Sequence, residues 1–117
     1  MAGTVTYSHY DSQGVSAFAS GKVVCDGAET NVLCGFQPNK IELFYSDFGA
    51  TANAYYVWVN GIAAGTMAQF ADAGDLTFET GGPTVYAGDG ENNLSEGFTI
   101  PADLMTNTDV IYWVAWR

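Results

Sequence analysis

The fold class is decided by the stretch Ala54-Tyr55-Tyr56-Val57-Trp58-Val59-Asn60-Gly61-Ile62-Ala63-Ala64. Residues 54–59 are apolar or aromatic at both alternating positions, a pattern that suits a central strand of a sheet. Asn60-Gly61 separates this run from a second apolar run, residues 62–64. Because Asn and Gly both tolerate positive φ, Asn-Gly between two apolar runs favours a two-residue hairpin turn. The stretch therefore predicts two antiparallel strands.

The strand-and-turn pattern continues on both sides of this hairpin. Residues 40–46 alternate, with Ile41, Leu43 and Tyr45 on one face, as a half-buried strand does. Residues 110–116 are again apolar on both faces. One plausible helix, residues 66–73, is short and lies between Gly65 and Gly74. Shorter candidate strands cover residues 5–10, 17–19, 23–25, 32–34, 76–79, 84–87 and 98–100.

Together these elements predict an all-β, single-domain antiparallel β-sandwich, jelly-roll-like, with about eight to ten short strands. A chain of 117 residues suits one domain. Residues 1–16 are the least patterned part of the chain, so we predict an N-terminal segment there that can act as an arm on a partner. Residues 17–117 are predicted to form the β-sandwich domain.

The charge of the chain restricts its partners. The net charge is −10, and Lys22, Lys40 and Arg117 are the only Lys and Arg residues. Because Lys and Arg supply most of the affinity for phosphate groups, we expect no nucleic-acid partner and no membrane partner. The N-terminus lacks the charged and apolar regions of a signal peptide, which predicts synthesis in a cytoplasm.

The sequence offers no recognisable catalytic set. His9 is the only histidine, and a Ser-His or Cys-His nucleophile would depend on it, although its polar N-terminal surroundings do not favour a rigid site. The 13 Asp and Glu residues lie mostly in turn-like loops, so no acid and nucleophile pair stands out for glycoside hydrolysis. We therefore predict no enzymatic activity, no catalytic residues and no cofactor.

Two groups of residues are candidates for metal or redox sites. The loop residues Asp89, Glu91 and Asn93 have the spacing of half a calcium loop, but Leu94 stands where the calcium loop needs Gly. We favour a solvated turn and leave structural calcium as the alternative. Cys25 and Cys34 are expected to be small, partly buried apolar side chains, with a disulfide as the alternative.

The three tryptophans suggest different roles. Trp58 and Trp113 lie in strongly apolar runs and are predicted to pack in the core. Trp116, next to the C-terminus, is the best candidate for an exposed contact. A sugar-stacking platform is the alternative role for these rings.

Two stretches resemble a loose family of tailed-bacteriophage virion proteins. The first is residues 27–43, which contains Gly35-Phe36-Gln37-Pro38, and the second is residues 97–100 with residues 107–116, ending in Tyr112-Trp113-Val114-Ala115-Trp116. In that family a strand ending in Gly-Phe-x-Pro leads into an apolar strand, and a Tyr-x-x-Ala-aromatic strand closes the module. Asp109 stands where the family often has glycine. The resemblance covers about half of the chain.

The resemblance implies a virion structural protein, most simply a capsid decoration (cement) protein located on the capsid surface. It implies the major capsid protein as partner and a homo-oligomer, with a trimer favoured. Charge, size and resemblance together lead us to expect partner contacts from four residues: Val5, Tyr7, Tyr10 and Trp116.

The resemblance also leaves an alternative function open, because related modules occur in tail and fibre proteins. That alternative is a carbohydrate-binding module of a tail fibre or adhesion device. Exposure of Trp116 or Trp58 beside Asn92 and Asn93 would favour it. A small hydrolase is a third hypothesis, which the single histidine disfavours.

Overall fold

The computed structural model describes residues 3–9, 18–46, 54–63, 65–71, 76–88, 96–105 and 109–117. These residues form ten strands and one 3₁₀ turn at Ala102–Leu104. The strands are β1 (Thr4–His9), β2 (Phe18–Val24), β3 (Thr30–Val32), β4 (Lys40–Ser46), β5 (Ala54–Val59), β6 (Thr66–Ala71), β7 (Leu76–Thr80), β8 (Thr84–Tyr86), β9 (Gly97–Ile100) and β10 (Val110–Trp116). The predicted all-β class is confirmed.

The strands form two antiparallel sheets of unequal size. The large sheet has seven strands in the order β1-β2-β10-β4-β5-β6-β7, and the small sheet has three in the order β3-β9-β8. The last strand along the chain, β10, occupies the middle of the large sheet between β2 and β4. One face of the large sheet packs on the small sheet, and we call its opposite face the outer face.

The core lies between the sheets because alternate residues of each central strand turn inward. In β10, Ile111, Trp113 and Ala115 are buried, while Tyr112 is exposed. Their neighbours in β4, Ile41 and Leu43, are also buried. The large and small sheets meet at Phe98, which packs against Trp113. Trp58 is buried as well, so the predicted core positions of Trp58 and Trp113 are confirmed.

Part of the predicted N-terminal arm belongs to the large sheet. Thr4–His9 pairs with β2 as β1, and Val5 packs against the core. The backbone N–H of Gly3 donates to Thr30 Oγ1 at 3.0 Å, and Thr30 is buried in the small sheet. The start of the chain therefore links both sheets. The predicted boundary at residue 16 lies outside the described residues and stays a prediction.

The predicted hairpin differs from the observed one. Asn60-Gly61 does form a turn, since the Ile62 N–H donates to the Val59 carbonyl at 3.0 Å and Gly61 has φ +113°. Ile62 and Ala63 do not continue as a strand, however, because a second turn follows, in which the Thr66 N–H donates to the Ala63 carbonyl. The strand that follows β5 and pairs with it is instead β6. It occupies the segment whose composition allowed a helix.

The motif behind the resemblance has a clear structural role. Phe36 is 3% exposed and fills the core, and the Arg117 guanidinium lies 5.3 Å from its ring centroid. Asp109, which replaces the family's frequent glycine, accepts a hydrogen bond from the Tyr45 hydroxyl. The Asp109 carbonyl also accepts from the Cys25 N–H at 2.9 Å. Asp109 thus fixes the entry into β10 from both neighbouring strands.

Candidate interaction surface

The outer face of the large sheet gathers the exposed apolar residues. The register of the strands places positions 18, 24, 44, 59, 70, 76, 78 and 112 on that face. Among the described residues these are also all of the large hydrophobic side chains that are exposed: Phe18, Val24, Phe44, Val59, Phe70, Leu76, Phe78 and Tyr112. Single exposed apolar residues are ordinary on protein surfaces, but a contiguous set on one face marks an interaction site.

A row of rings crosses this face from strand to strand. Tyr112 lies opposite Phe44, Phe44 opposite Tyr55, Tyr55 opposite Phe70, and Phe70 opposite Leu76. The ring centroids of Phe44 and Tyr55 are 5.1 Å apart, and those of Tyr55 and Phe70 are 6.0 Å apart. Cross-strand aromatic pairs stabilise a sheet, so the row holds a rigid aromatic surface. We call Tyr112, Phe44, Tyr55 and Phe70 the aromatic row, which Leu76 extends onto β7.

The charge of the outer face differs from that of the whole chain. Glu42 is the only acidic residue that the register places there within the described residues, and its carboxylate lies 3.3 Å from the Lys40 ammonium. Burial and a hydrogen bond to Glu42 raise the pKa of Tyr55 to about 12. With Lys22 also on this face, the described part of the face carries two Lys and one Glu, although the whole chain carries −10.

The size of the apolar surface suits a protein partner. Five aromatic residues on this face are each between 40% and 65% exposed: Phe18, Phe44, Phe70, Phe78 and Tyr112. At roughly 200 Å² for a whole side chain, they present about 450 Å² of surface. The largest apolar patch on a typical monomer is about 300–600 Å². The aliphatic members bring the outer face to the upper end of that range, which approaches the roughly 800 Å² that each partner buries in a standard interface.

The four residues predicted to contact a partner are not grouped together. Val5 faces the core, and Trp116 lies on the outer face with the Lys40 ammonium 4.9 Å from its ring centroid. Tyr7 lies in β1 opposite Gly21, but its side chain is outside the described residues, and so is Tyr10. Of the four, Trp116 belongs to the apolar surface found here, whereas Val5 contributes to the core.

A cleft beside Trp58 carries the chemistry of the carbohydrate alternative. Its volume is about 300 Å³, and its lining consists of Gln37, Pro38, Asn39, Trp58, Asn60 and Val85. Trp58 is 6% exposed, and its indole N–H donates to the Ile62 carbonyl at 3.2 Å. The Asn60 amide donates to Asn39 Oδ1 at 3.0 Å. The cleft therefore offers amide groups rather than an open ring for stacking, and Asn92 and Asn93 lie outside the described residues.

The predicted metal loop cannot be placed, because Asp89, Glu91 and Asn93 lie outside the described residues. Within the residues that are described, no three His, Cys, Asp or Glu side chains come together as a metal site. Cys25 and Cys34 are separate buried thiols, and the Cys34 thiol donates to the Phe36 carbonyl at 3.3 Å. Burial and the nearby carboxylates of Asp109 and Asp26 raise the pKa of Cys25 to about 11.

Comparisons with protein-family models, with curated proteins and with solved structures found no match to this chain. In the described part of the chain, none of the helical structure has the length and apolar character required to cross a bilayer.

Sequence reasoning did not single out the aromatic row. One indication in the sequence is Phe44. Side chains alternate between the two faces of a strand, so Phe44 faces the side opposite to the buried Ile41 and Leu43. It was also present in β5 and β10, which are apolar on both faces. Apolar residues on both faces of a strand predict two covered faces, but the described part of the chain covers only one of them.

Proposed function

We propose that this chain is a bacteriophage virion structural protein, a capsid decoration protein that binds the head shell through the outer face of its large sheet. The observation that carries the proposal is the segregation of all described exposed large apolar side chains onto that one face. A face of this kind is stabilised when a partner protein covers it. The sequence resemblance supplies the class of partner, the major capsid protein.

The charge distribution supports a protein partner rather than a nucleic acid or a membrane. Among the described residues, the acidic side chains lie away from the outer face, apart from Glu42, which pairs with Lys40. Bringing an aromatic face with few described charges onto another protein costs little charge desolvation, whereas a phosphate surface would meet a chain of net charge −10.

The mechanism is multivalent attachment. Each copy contributes a modest contact, in which a few aromatic anchors supply most of the free energy. Copies that are repeated over a lattice and joined in an oligomer raise the total binding strength without any new type of contact. The shell is thereby held against internal pressure.

The experiment compares binding of variants to purified capsids that lack the protein. In Phe44→Thr and Tyr112→Thr the ring is removed from the aromatic row while a strand-forming residue is kept. We expect each change to lower affinity about tenfold to thirtyfold. Occupancy per capsid, measured by quantitative gel densitometry over a concentration series, gives the affinity.

Tyr86→Thr is the matched control, because Tyr86 lies in β8 of the small sheet and undergoes the same change in side chain. We expect its affinity to equal that of the unmodified protein. Equal affinity of Phe44→Thr and Tyr112→Thr, with unchanged circular dichroism, would show that the outer face does not contact the capsid. Tyr10→Ser tests whether Tyr10 contacts the capsid. The change lies outside β1 (Thr4–His9) and so leaves that strand in place.

The second candidate function is a carbohydrate-binding module, and the cleft beside Trp58 is the observation that favours it. Amide side chains beside an apolar floor suit neutral sugar hydroxyls. A glycan array separates the two functions. Binding to glycans that is lost in Asn39→Ala, with no binding to capsids, would replace the decoration function by this one.

A further inference from the structure

Strand β7 is an unusually bare edge of the large sheet. All five of its residues are exposed, including Leu76 at 51% and Phe78 at 65%. Among the described strands it pairs only with β6. The small sheet does not cover its inner side, where Thr77 and Glu79 are exposed too. A strand that is bare on both faces and along one edge has little to hold it beyond a single ladder.

The hydrogen-bonding pattern shows which groups β7 presents along its open edge. The Gly81 N–H donates to the Gly65 carbonyl at 2.8 Å, and successive residues of a strand direct their N–H and C=O groups to alternate sides. Thr77 and Glu79 therefore bond to β6. Leu76, Phe78 and Thr80 direct their backbone groups outward, away from the sheet.

These outward groups are self-complementary. An antiparallel second copy centred on Phe78 pairs Phe78 with Phe78 and Leu76 with Thr80, which uses the outward N–H and C=O of all three residues. In that register the only charge of the strand, Glu79, lies opposite Thr77 of the other copy. Like charges are therefore not placed opposite each other, although the chain carries −10.

The other edge of the large sheet is protected. The pairing of β1 with β2 shifts register between Tyr7 and His9, and a bulge of this kind disrupts the edge for further pairing. The described register of β7 with β6 runs without a shift from Thr66–Thr80 to Phe70–Leu76. The open edge of β7 contains no proline either.

We propose that two copies of this chain associate through their β7 strands, antiparallel and centred on Phe78, into a two-fold dimer with one continuous sheet. The two-fold axis is perpendicular to that sheet, so both outer faces lie on the same side. The dimer then presents one double-width aromatic surface. The pairing does not depend on the proposed capsid function, since it is a property of the isolated chain.

Sedimentation equilibrium of the purified chain tests the pairing. We expect a mass of twice 12.4 kDa at micromolar concentration and a monomer on dilution. Because each copy carries −10, added salt screens their repulsion and should tighten the dimer. If β7 instead bound a basic strand of a different protein, that binding would weaken as salt is added, which is the opposite result.

Two variants test the register. Phe78→Lys places like charges opposite each other and removes the apolar anchor, so we expect the dimer dissociation constant to rise at least about thirtyfold. Phe78→Cys should form a disulfide-linked dimer under mild oxidation by diamide, because Cα atoms in a hydrogen-bonded antiparallel pair lie about 5.5 Å apart, within disulfide range. Leu76→Cys is the matched control and should not crosslink, because its partner is Thr80.

A monomer at all accessible concentrations would overturn the proposal, and so would a mass of three times 12.4 kDa, which would favour the trimer implied by the resemblance. A dimer that persists in Phe78→Lys, or that crosslinks equally through Leu76→Cys, would show that another surface forms it. Circular dichroism of each variant separates loss of pairing from loss of the fold.

Discussion

Phe98 meets Trp113 edge-on, with ring centroids 5.6 Å apart and ring planes at 72°. Both side chains are buried, and they belong to different sheets. The contact is a T-shaped aromatic pair, which contributes beyond simple area burial because the positive ring edge meets the negative ring face. It is one of the buried contacts that join the small sheet to the centre of the large one.

Phe98→Ala should therefore destabilise the fold by about 3–5 kcal/mol, since it removes a buried ring and leaves a cavity against Trp113. Phe44→Ala, in which the ring is lost from the exposed aromatic row, should cost less than half of that amount. Urea denaturation followed by tryptophan fluorescence gives both values. Equal losses would mean that the sheets are not joined mainly at Phe98.

Gly21 allows β1 to approach β2 closely. A Cβ atom at this position would lie 1.8 Å from the Thr6 carbonyl oxygen. Gly21→Ala should displace β1 and lower stability by about 2–3 kcal/mol. The matched control is Ser20→Ala, on the opposite face of the same strand. Hydrogen exchange should show faster exchange of β1 amides in Gly21→Ala alone.

Tyr55 makes stability sensitive to alkaline pH. Its folded-state pKa of about 12 lies above the ordinary tyrosine value of about 10. The contribution of the protonated hydroxyl is therefore complete below about pH 10 and is lost as pH rises toward 12. Thermal unfolding midpoints should fall less steeply over that range in Tyr55→Phe than in the unmodified chain. Identical slopes would contradict the raised pKa.

The two thiols should be unreactive in the folded chain. Burial, Asp109 and Asp26 hold the pKa of Cys25 at about 11, so very little thiolate exists at pH 8, and the thiolate is the reactive form. Titration with Ellman's reagent at pH 8 should be slow for native protein. In denaturant it should be rapid and give two thiols per chain. Absence of any thiol after denaturation would show a disulfide.

Deletion of residues 1–9 should lower stability, because it removes β1 and the Gly3 hydrogen bond to the buried Thr30. Loss of one edge strand with the partly buried Val5 should cost about 2–3 kcal/mol while the remaining strands stay paired. The free energy of unfolding by urea measures the change. An unchanged value would restore the view of this segment as a separate arm.

Much of the fold could be predicted from the alternation of apolar residues. The bounds of β4, β5 and β10 agree with the patterns at 40–46, 54–59 and 110–116. These segments combine β-branched and aromatic residues, which fit a pleated, packed surface whatever their partner.

Strand β6 could not be predicted in this way. Its sequence, Thr-Met-Ala-Gln-Phe-Ala, contains one β-branched residue and several helix formers. The sequence shows no alternation of apolar and polar residues here, because both faces of the strand carry a large apolar side chain. Met67 is buried, and Phe70 on the other face is exposed to solvent. The segment becomes a strand through its ladders to β5 and β7, so tertiary pairing overrides local propensity.

The interaction surface was only partly predictable for a related reason. The sequence shows that β5 and β10 are apolar on both faces, but it does not show that the small sheet has only three strands. With so few strands available as cover, the second apolar face is left on the outside. Trp116 could be singled out by its position at the end of the last apolar run, whereas the aromatic row depends on registers between distant strands.

The central position of β10 determines when the chain can fold. The slot between β2 and β4 stays empty during synthesis until residues 110–116 have left the ribosome. Until then the edges of both strands expose unpaired backbone groups and inward apolar side chains such as Ile41 and Val23. Closure of the large sheet therefore cannot precede the synthesis of residues 110–116. Unpaired strand edges of this kind are prone to aggregation until they are filled.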